Sequence, residues 1–247
     1  MLIPSRGPHP FPELVQAIRQ GRGRAAVLHP GAPGMARPSR AGDNLVNTGA
    51  VQLIEVGPTA LLVEVADADA ALSLALHARA AHAPATEVVP AATSVLFDGV
   101  SDRTRLLAVL DAWAPAAAPV YGPVVELPTT YDGDDLDDVA VRWGTDRDGV
   151  VERHLATTFT AAFCGFAPGF AYLSGLPDHL GVPRLASPRT RVPAGAVALA
   201  GPWCGVYPTS SPGGWRILGH TDASLWDATR PDPALLAPGT RVRFVRA

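Results

Sequence analysis

Between Phe159 and Thr221 the chain cannot form a long helix. Glycine, proline, small and aromatic residues crowd the run FTAAFCGFAPGFAYLSGLPDHLGVPRLASPRTRVPAGAVALAGPWCGVYPTSSPGGWRILGHT. A helix interior loses about 1 kcal/mol at each Gly and about 3 kcal/mol at each Pro. Short strands joined by tight turns are what remains. Pro168-Gly169 has the residues of a type II turn, Pro where φ is fixed and Gly where φ is positive. Val192 to Gly201 is small and apolar with little alternation, the pattern of a strand buried on both faces. Arginine, histidine and hydroxyl side chains stand between the turns, so a stiff backbone holds a few polar groups in fixed places.

The whole chain has 247 residues, 47% of them apolar and 17% charged, enough for one large core or two small ones. No run of about 18 apolar residues occurs, which excludes a spanning helix. A formal charge of −3 gives no global attraction to nucleic acid or to an anionic membrane. Cys164 and Cys204 are too few for a disulfide framework and read as reduced thiols of a cytoplasmic protein. All twenty basic residues are arginine. Without lysine the chain can supply neither a Walker-type phosphate loop nor a Schiff base, so a nucleotide would be held by arginine or by a partner.

Three stretches follow from composition and pattern. Residues 1–50 carry six arginines against two acids among scattered Pro and Gly, and read as a disordered tail or as sequence ahead of a later start, with a basic arm for an acidic partner as the alternative. A domain start is expected at Val51. Residues 51–119 read strand, strand, helix, strand, strand, helix, with helices over Ala66–Ala83 and Ser101–Trp113 and Ser101 as the second cap, a split-βαβ unit. His77 and His82 lie five apart, the wrong spacing for a shared metal face. Ala114–Pro119 is a compact linker.

Residues 120–247 form the second domain, beginning with a strand over Val120–Pro128 and a turn at Tyr131-Asp132-Gly133. Asp134, Asp135, Asp137 and Asp138 lack EF-hand spacing and read as helix N-terminal acids. A second helix, Asp146 to Ala156, carries His154, either a packed terminal histidine or a functional one. Phe166, Phe170 and Tyr172 would share one face of an extended chain. Arg184 and Arg189 each follow a proline and are placed either to grip a carboxylate or phosphate or to make ion pairs with acids such as Asp178. Ser211 lies in a hydroxyl- and Gly-rich turn suited to an anion, and Trp215 either floors a pocket or packs.

The ordered string GFAPGFAYL at Gly165–Leu173, Pro183-Arg184, Pro188-Arg189, Val192-Pro193-Ala194-Gly195 and Ser211-Pro212-Gly213-Gly214-Trp215 resembles the family of B-type 5-oxoprolinase subunits. That family includes the sporulation histidine-kinase inhibitor and proteins labelled allophanate hydrolase subunit 1. The resemblance implies an α+β protein, a small N-terminal split-βαβ domain followed by a cyclophilin-like β-barrel domain. It also implies a component that opens 5-oxoproline to glutamate with ATP, in company with C-type and A-type subunits. On this reading His154, Arg184, Arg189 and Ser211 are the candidate catalytic residues, while Phe166, Tyr207, Trp215, Arg216 and His220 contact a carboxylate-bearing lactam. No metal is implied, and ATP is shared with the partner rather than held in a P-loop. A kinase-binding regulator is the alternative, and an allophanate-type amidase comes last because no GxSxG or Ser-Ser-Lys pattern is present. Trp203-Cys204 stands where the family usually has Gln-Thr, Ala196 where Ser is common and His220 where Arg is common.

Overall fold

The computed structural model of the chain describes residues 52–114 and 122–247. The expectations for the N-terminal tail, for a start at Val51 and for most of the Ala114–Pro119 linker fall outside these residues. The first part runs β1 (Gln52–Glu55), β2 (Leu61–Glu64), α1 (Ala68–Ala80), β3 (Glu87–Pro90), β4 (Ser94–Asp98) and α2 (Arg103–Asp111). The sheet order is β1-β2-β4-β3 with antiparallel neighbours throughout. Since β2 and β3 both oppose β4, they run parallel with β4 between them, which is the split βαβ expected from the element order.

Period-2 alternation turns Leu61, Val63, Val95 and Phe97 onto one face, where α1 lays Ala71, Leu74, Ala75 and Ala78 and α2 lays Leu106 and Leu110. Each large side chain buried here contributes on the order of 1.5–3 kcal/mol. Both helices open on a carboxylate. Asp67 accepts the Ala70 N–H at 2.8 Å and Asp102 accepts the Arg105 N–H at 3.0 Å. The second cap is therefore one residue beyond Ser101, whose hydroxyl turns back to the Pro84 carbonyl. A carboxylate satisfies the orphan N–H and also favours the positive helix end.

The second part begins with β5 (Val124–Thr129), α3 (Leu136–Trp143), α4 (Arg147–Ala156), β6 (Thr158–Cys164) and β7 (Ala171–Ser174). It continues with β8 (Arg189–Val192), β9 (Ala196–Ala200), β10 (Trp203–Val206), β11 (Ser211–Gly213), β12 (Arg216–His220) and β13 (Arg241–Arg246). Seven strands form one sheet, β12-β9-β10-β7-β6-β13-β5, and β8 pairs only with β11 in a separate ribbon. The large sheet nearly closes into a barrel. Beyond β5, Thr130 exchanges two 2.9 Å hydrogen bonds with His220 at the end of β12, and the Gly133 and Asp135 N–H groups reach Leu218 and Ile217. The acids expected at a helix start do open α3, with Asp135 at its cap and Asp137 and Asp138 in its first turn.

Phe159, Leu173, Val197, Leu199, Leu218 and Phe244 fill the barrel, and α3 and α4 add Val139, Trp143 and Val150. Strand β9 is buried throughout, as its sequence predicted. Val197 and Leu199 point into the barrel. Ala196, Ala198 and Ala200 point outward, and their small size lets a second cluster of Phe170, Val192, Tyr207, Trp215 and Ile217 pack close to the sheet. The β8–β11 ribbon covers this outer cluster through Val192.

Candidate functional site

The outer cluster is built from rings. Phe170, fully buried, meets Tyr172, Tyr207 and Trp215 edge-on with centroids 5.1, 5.4 and 5.3 Å away. Tyr172 stacks on Phe163 at 4.4 Å, and Trp203 stands edge-on to Phe163 at 5.2 Å. These edge-to-face contacts add to area burial and fix ring orientation. The turn after β6 supplies the last ring. Phe170 N–H returns to the Ala167 carbonyl at 3.0 Å, with Gly169 at φ 85°, as a type II turn requires. Phe166, expected in extended chain, instead sits in the left-handed region at φ 68°, because the turn begins at Gly165 rather than after Ala167. That backbone costs about 1–2 kcal/mol for a non-glycine residue. The strained residue holds its ring 61% exposed, edge-on to Phe170 at 5.3 Å and to Tyr207 at 6.1 Å.

The arginines border these rings. The exposed Arg184 places its guanidinium carbon 6.0 Å from the Trp215 ring centroid, within cation–π range. Arg189, on β8, gives one amino group, Nη2, to Asp135 Oδ1 at 2.9 Å, and Asp135 Oδ2 accepts the Ile217 N–H at 2.7 Å. The ion pair foreseen with Asp178 is thus made with Asp135. The other amino group, Arg189 Nη1, is buried without a hydrogen-bond partner, and so is Ser211 Oγ on the facing strand. Burial pushes the Tyr207 hydroxyl pKa up, while a hydrogen bond from the Trp215 backbone and the charges of Arg184 and Arg189 hold it back. Both guanidinium groups therefore act on the same hydroxyl.

Of the residues singled out in the sequence, Phe166, Arg184, Arg189, Tyr207, Ser211 and Trp215 gather at the ribbon. Three do not. Arg216 is buried behind it, donating from Nε to the Pro183 carbonyl at 2.9 Å and pairing with Asp138, so that it anchors the segment carrying Arg184. His220 pairs with Asp132 at 2.9 Å where the barrel closes. His154 lies inside the barrel, completely buried between Phe159 and Phe244, with Nδ1 2.7 Å from the Tyr131 hydroxyl and Nε2 3.4 Å from Cys204 Sγ. Burial lowers its pKa to about 3, so it is neutral, and burial likewise raises the Cys204 thiol well above its usual range. A neutral thiol beside a neutral imidazole is not an activated nucleophile. Trp203 and Cys204 occupy opposite faces of β10, the indole in the outer cluster and the thiol in the barrel.

The tie that Asp135 makes between the ribbon and β12 is one that the sequence does not announce. It depends on Arg189 and Ile217, 54 and 82 residues away, and only the place of Asp135 at a helix start is visible locally. No group of His, Cys, Asp and Glu among the described residues is arranged to hold a metal ion.

A nearly closed barrel with an arginine-bearing ribbon over an aromatic outer face, preceded by a split βαβ sheet, defines the class. The chain belongs to the family of the carboxyltransferase domain, subdomains C and D, whose model matches residues 51–236. Over 124 residues, 49% of the chain, it is 48% identical to the B-type 5-oxoprolinase subunit of Escherichia coli O157:H7, covering 57% of that protein. Over 127 residues it is 42% identical to the B-type 5-oxoprolinase subunit of Haemophilus influenzae, covering 60% of it. The chain thus spans little more than half the length of these curated relatives, and the resemblance to the B-type 5-oxoprolinase family is borne out. The crystal structure of TTHA0988 in space group P6522 superposes with a TM-score of 0.67 at 36% identity, over 77% of this chain and 40% of that one.

Proposed function

We propose that the chain is the B component of an ATP-dependent 5-oxoprolinase, working with C-type and A-type subunits in the cytoplasm to open 5-oxoproline to glutamate. The observation that carries this reading is the 48% identity to a B-type 5-oxoprolinase subunit. The ribbon site is compatible with it. A five-membered lactam has two apolar faces and one carboxylate; the exposed Phe166 ring offers an apolar surface, backed by the buried Tyr207 and Trp215 and bordered by Arg184 and Arg189. Arg184 over Trp215 would meet the carboxylate-bearing ring at the mouth. His220 and its Asp132 partner would border the same outer face at the end of β12, and Arg216 would hold the Pro183 segment in place. His154 is assigned a packing role.

The residues present do not fit a phosphate loop. Gly213-Gly214 leads into strand β12 rather than a helix, and lysine is absent. ATP would be shared with the partner subunit rather than held in a phosphate loop of this chain. The same reading takes the barrel as cyclophilin-like and divides the chain into domains at residues 51–119 and 120–247, with separate apolar clusters in the two parts as support.

The test is reconstitution. The purified chain, the chain with a C-type partner, and the chain with both partners are assayed for 5-oxoproline-dependent ATP hydrolysis. Turnover is expected only when the partners are present. No stimulation by the full set sinks the proposal.

A further inference from the structure

Among the described residues two buried side-chain polar atoms lack a partner, Arg189 Nη1 and Ser211 Oγ, and such groups each cost roughly 1–3 kcal/mol. Both belong to the β8–β11 ribbon. Ser211 pairs with Val192, and Gly213 pairs with Arg189, so the strand facing Arg189 carries no side chain at that point. A Cβ at Gly213 would overlap the Tyr207 hydroxyl, which therefore lies directly under the ribbon. Arg189 Nη1 can donate, Ser211 Oγ can donate, and the charge of Arg184 adds to that of Arg189 around the Tyr207 hydroxyl. The ribbon makes its strand pairing only with itself, and side chains rather than a strand ladder tie it to the barrel, Arg189 through Asp135 and Val192 through the outer cluster.

We propose that Arg189 Nη1 and Ser211 Oγ form a two-donor clamp beneath the ribbon for the carboxylate of a small cyclic ligand, whose ring lies toward the exposed Phe166 that borders the buried Tyr207. This rests on the functional reading above and assigns the atoms that recognise the ligand. A carboxylate fits better than a phosphate because Asp135 already neutralises Arg189 from the other side, 2.9 Å away. A monoanion with two coplanar oxygens uses both donors, whereas a phosphate dianion would face the Asp135 charge. Ser211 sets the specificity, since its hydroxyl has no task in the fold.

Titration calorimetry on the purified full chain, alone and with the C-type partner, separates the alternatives. The probes are 5-oxoproline, 2-pyrrolidinone, which is the same lactam without the carboxylate, and inorganic phosphate. 5-Oxoproline is expected to bind, with 2-pyrrolidinone weaker by well over about tenfold for the loss of a charged contact. Ser211→Ala should weaken 5-oxoproline about tenfold without lowering the Tm of the free protein, because the hydroxyl it removes is unpaired. Arg189→Met should abolish binding. Equal binding of the two lactams, unchanged affinity in Ser211→Ala, phosphate binding that depends on Arg189, or no binding even with the partner would each overturn the clamp. Carboxylate binding with no ATP hydrolysis would leave the clamp standing and remove the proposed reaction. Turnover unaffected by Ser211→Ala would do the reverse.

Discussion

His154 illustrates what burial does to a single side chain. It lies in the barrel with Tyr131, Cys204, Phe159 and Phe244 around it, and its pKa is lowered to about 3. An unfolded chain would hold it near 6.5. Between these values the unfolded state binds a proton that the fold refuses, so stability is full above about pH 6.5 and falls as pH drops. The slope from this one group is up to about 1.4 kcal/mol per pH unit, so acidification from pH 7.5 to 5 should cost about 2 kcal/mol. Urea midpoints at the two pH values measure it, and His154→Gln should flatten the difference. Equal slopes in both proteins would show that other groups carry the effect. The sequence leaves His154 open between packing and function because helix position says nothing about depth. By contrast, the turns that carry Arg184, Arg189 and Ser211 were legible, since a proline stands before each arginine and Pro-Gly-Gly follows the serine.

At the scale of elements, the order of strands and helices in the first part was readable from alternation and periodicity. The barrel's closure was not. It joins residues about ninety positions apart through Thr130, Gly133, Leu218 and His220, and nothing local marks that pairing. Two glycines do mark it in space. A Cβ at Gly133 would overlap the Ile217 carbonyl, and one at Gly219 the Thr130 carbonyl. Backbone on both sides cannot give way as a flexible side chain would. Gly219→Ala should therefore destabilise by about 1–3 kcal/mol or more through overpacking. Gly144, at φ 61° after α3 with nothing within 4 Å of a Cβ, offers the control. Gly144→Ala should cost only the left-handed conformation, about 1–2 kcal/mol. Chemical denaturation that ranks Gly144→Ala as the more damaging of the two would mean the closure is looser than its hydrogen bonds indicate. The β8–β11 ribbon was likewise hidden, because the motif PRxxxPRxxVPAG marks turns but not which strand it faces.

For the whole molecule, the absence of lysine becomes a chemical handle. Every cationic side chain that could grip an anion is a guanidinium, and those around the ribbon fall into two groups. Arg189 and Arg216 are ion-paired and largely buried, with side-chain exposures of 25% and 8%, whereas Arg184 beside Trp215 and Arg191, which donates to the Ser210 hydroxyl, are exposed. A reagent that acylates amines has no side-chain target in this chain, while a dicarbonyl that condenses with guanidinium should reach Arg184 ahead of the two paired groups. If the ribbon is the site, amine acylation of this chain, followed by mixing with untreated C-type and A-type subunits, should leave 5-oxoproline-dependent ATP hydrolysis near its starting level. Phenylglyoxal treatment should abolish it, and 5-oxoproline present during the treatment should slow the loss, because a ligand seated under the ribbon occupies Arg189 and shields Arg184 at the mouth. Tm readings on the treated chain separate loss of the site from loss of the fold. Inactivation by acylation of this chain alone would make a group other than the arginines essential. Inactivation by phenylglyoxal at a rate indifferent to 5-oxoproline would move the carboxylate away from the arginines.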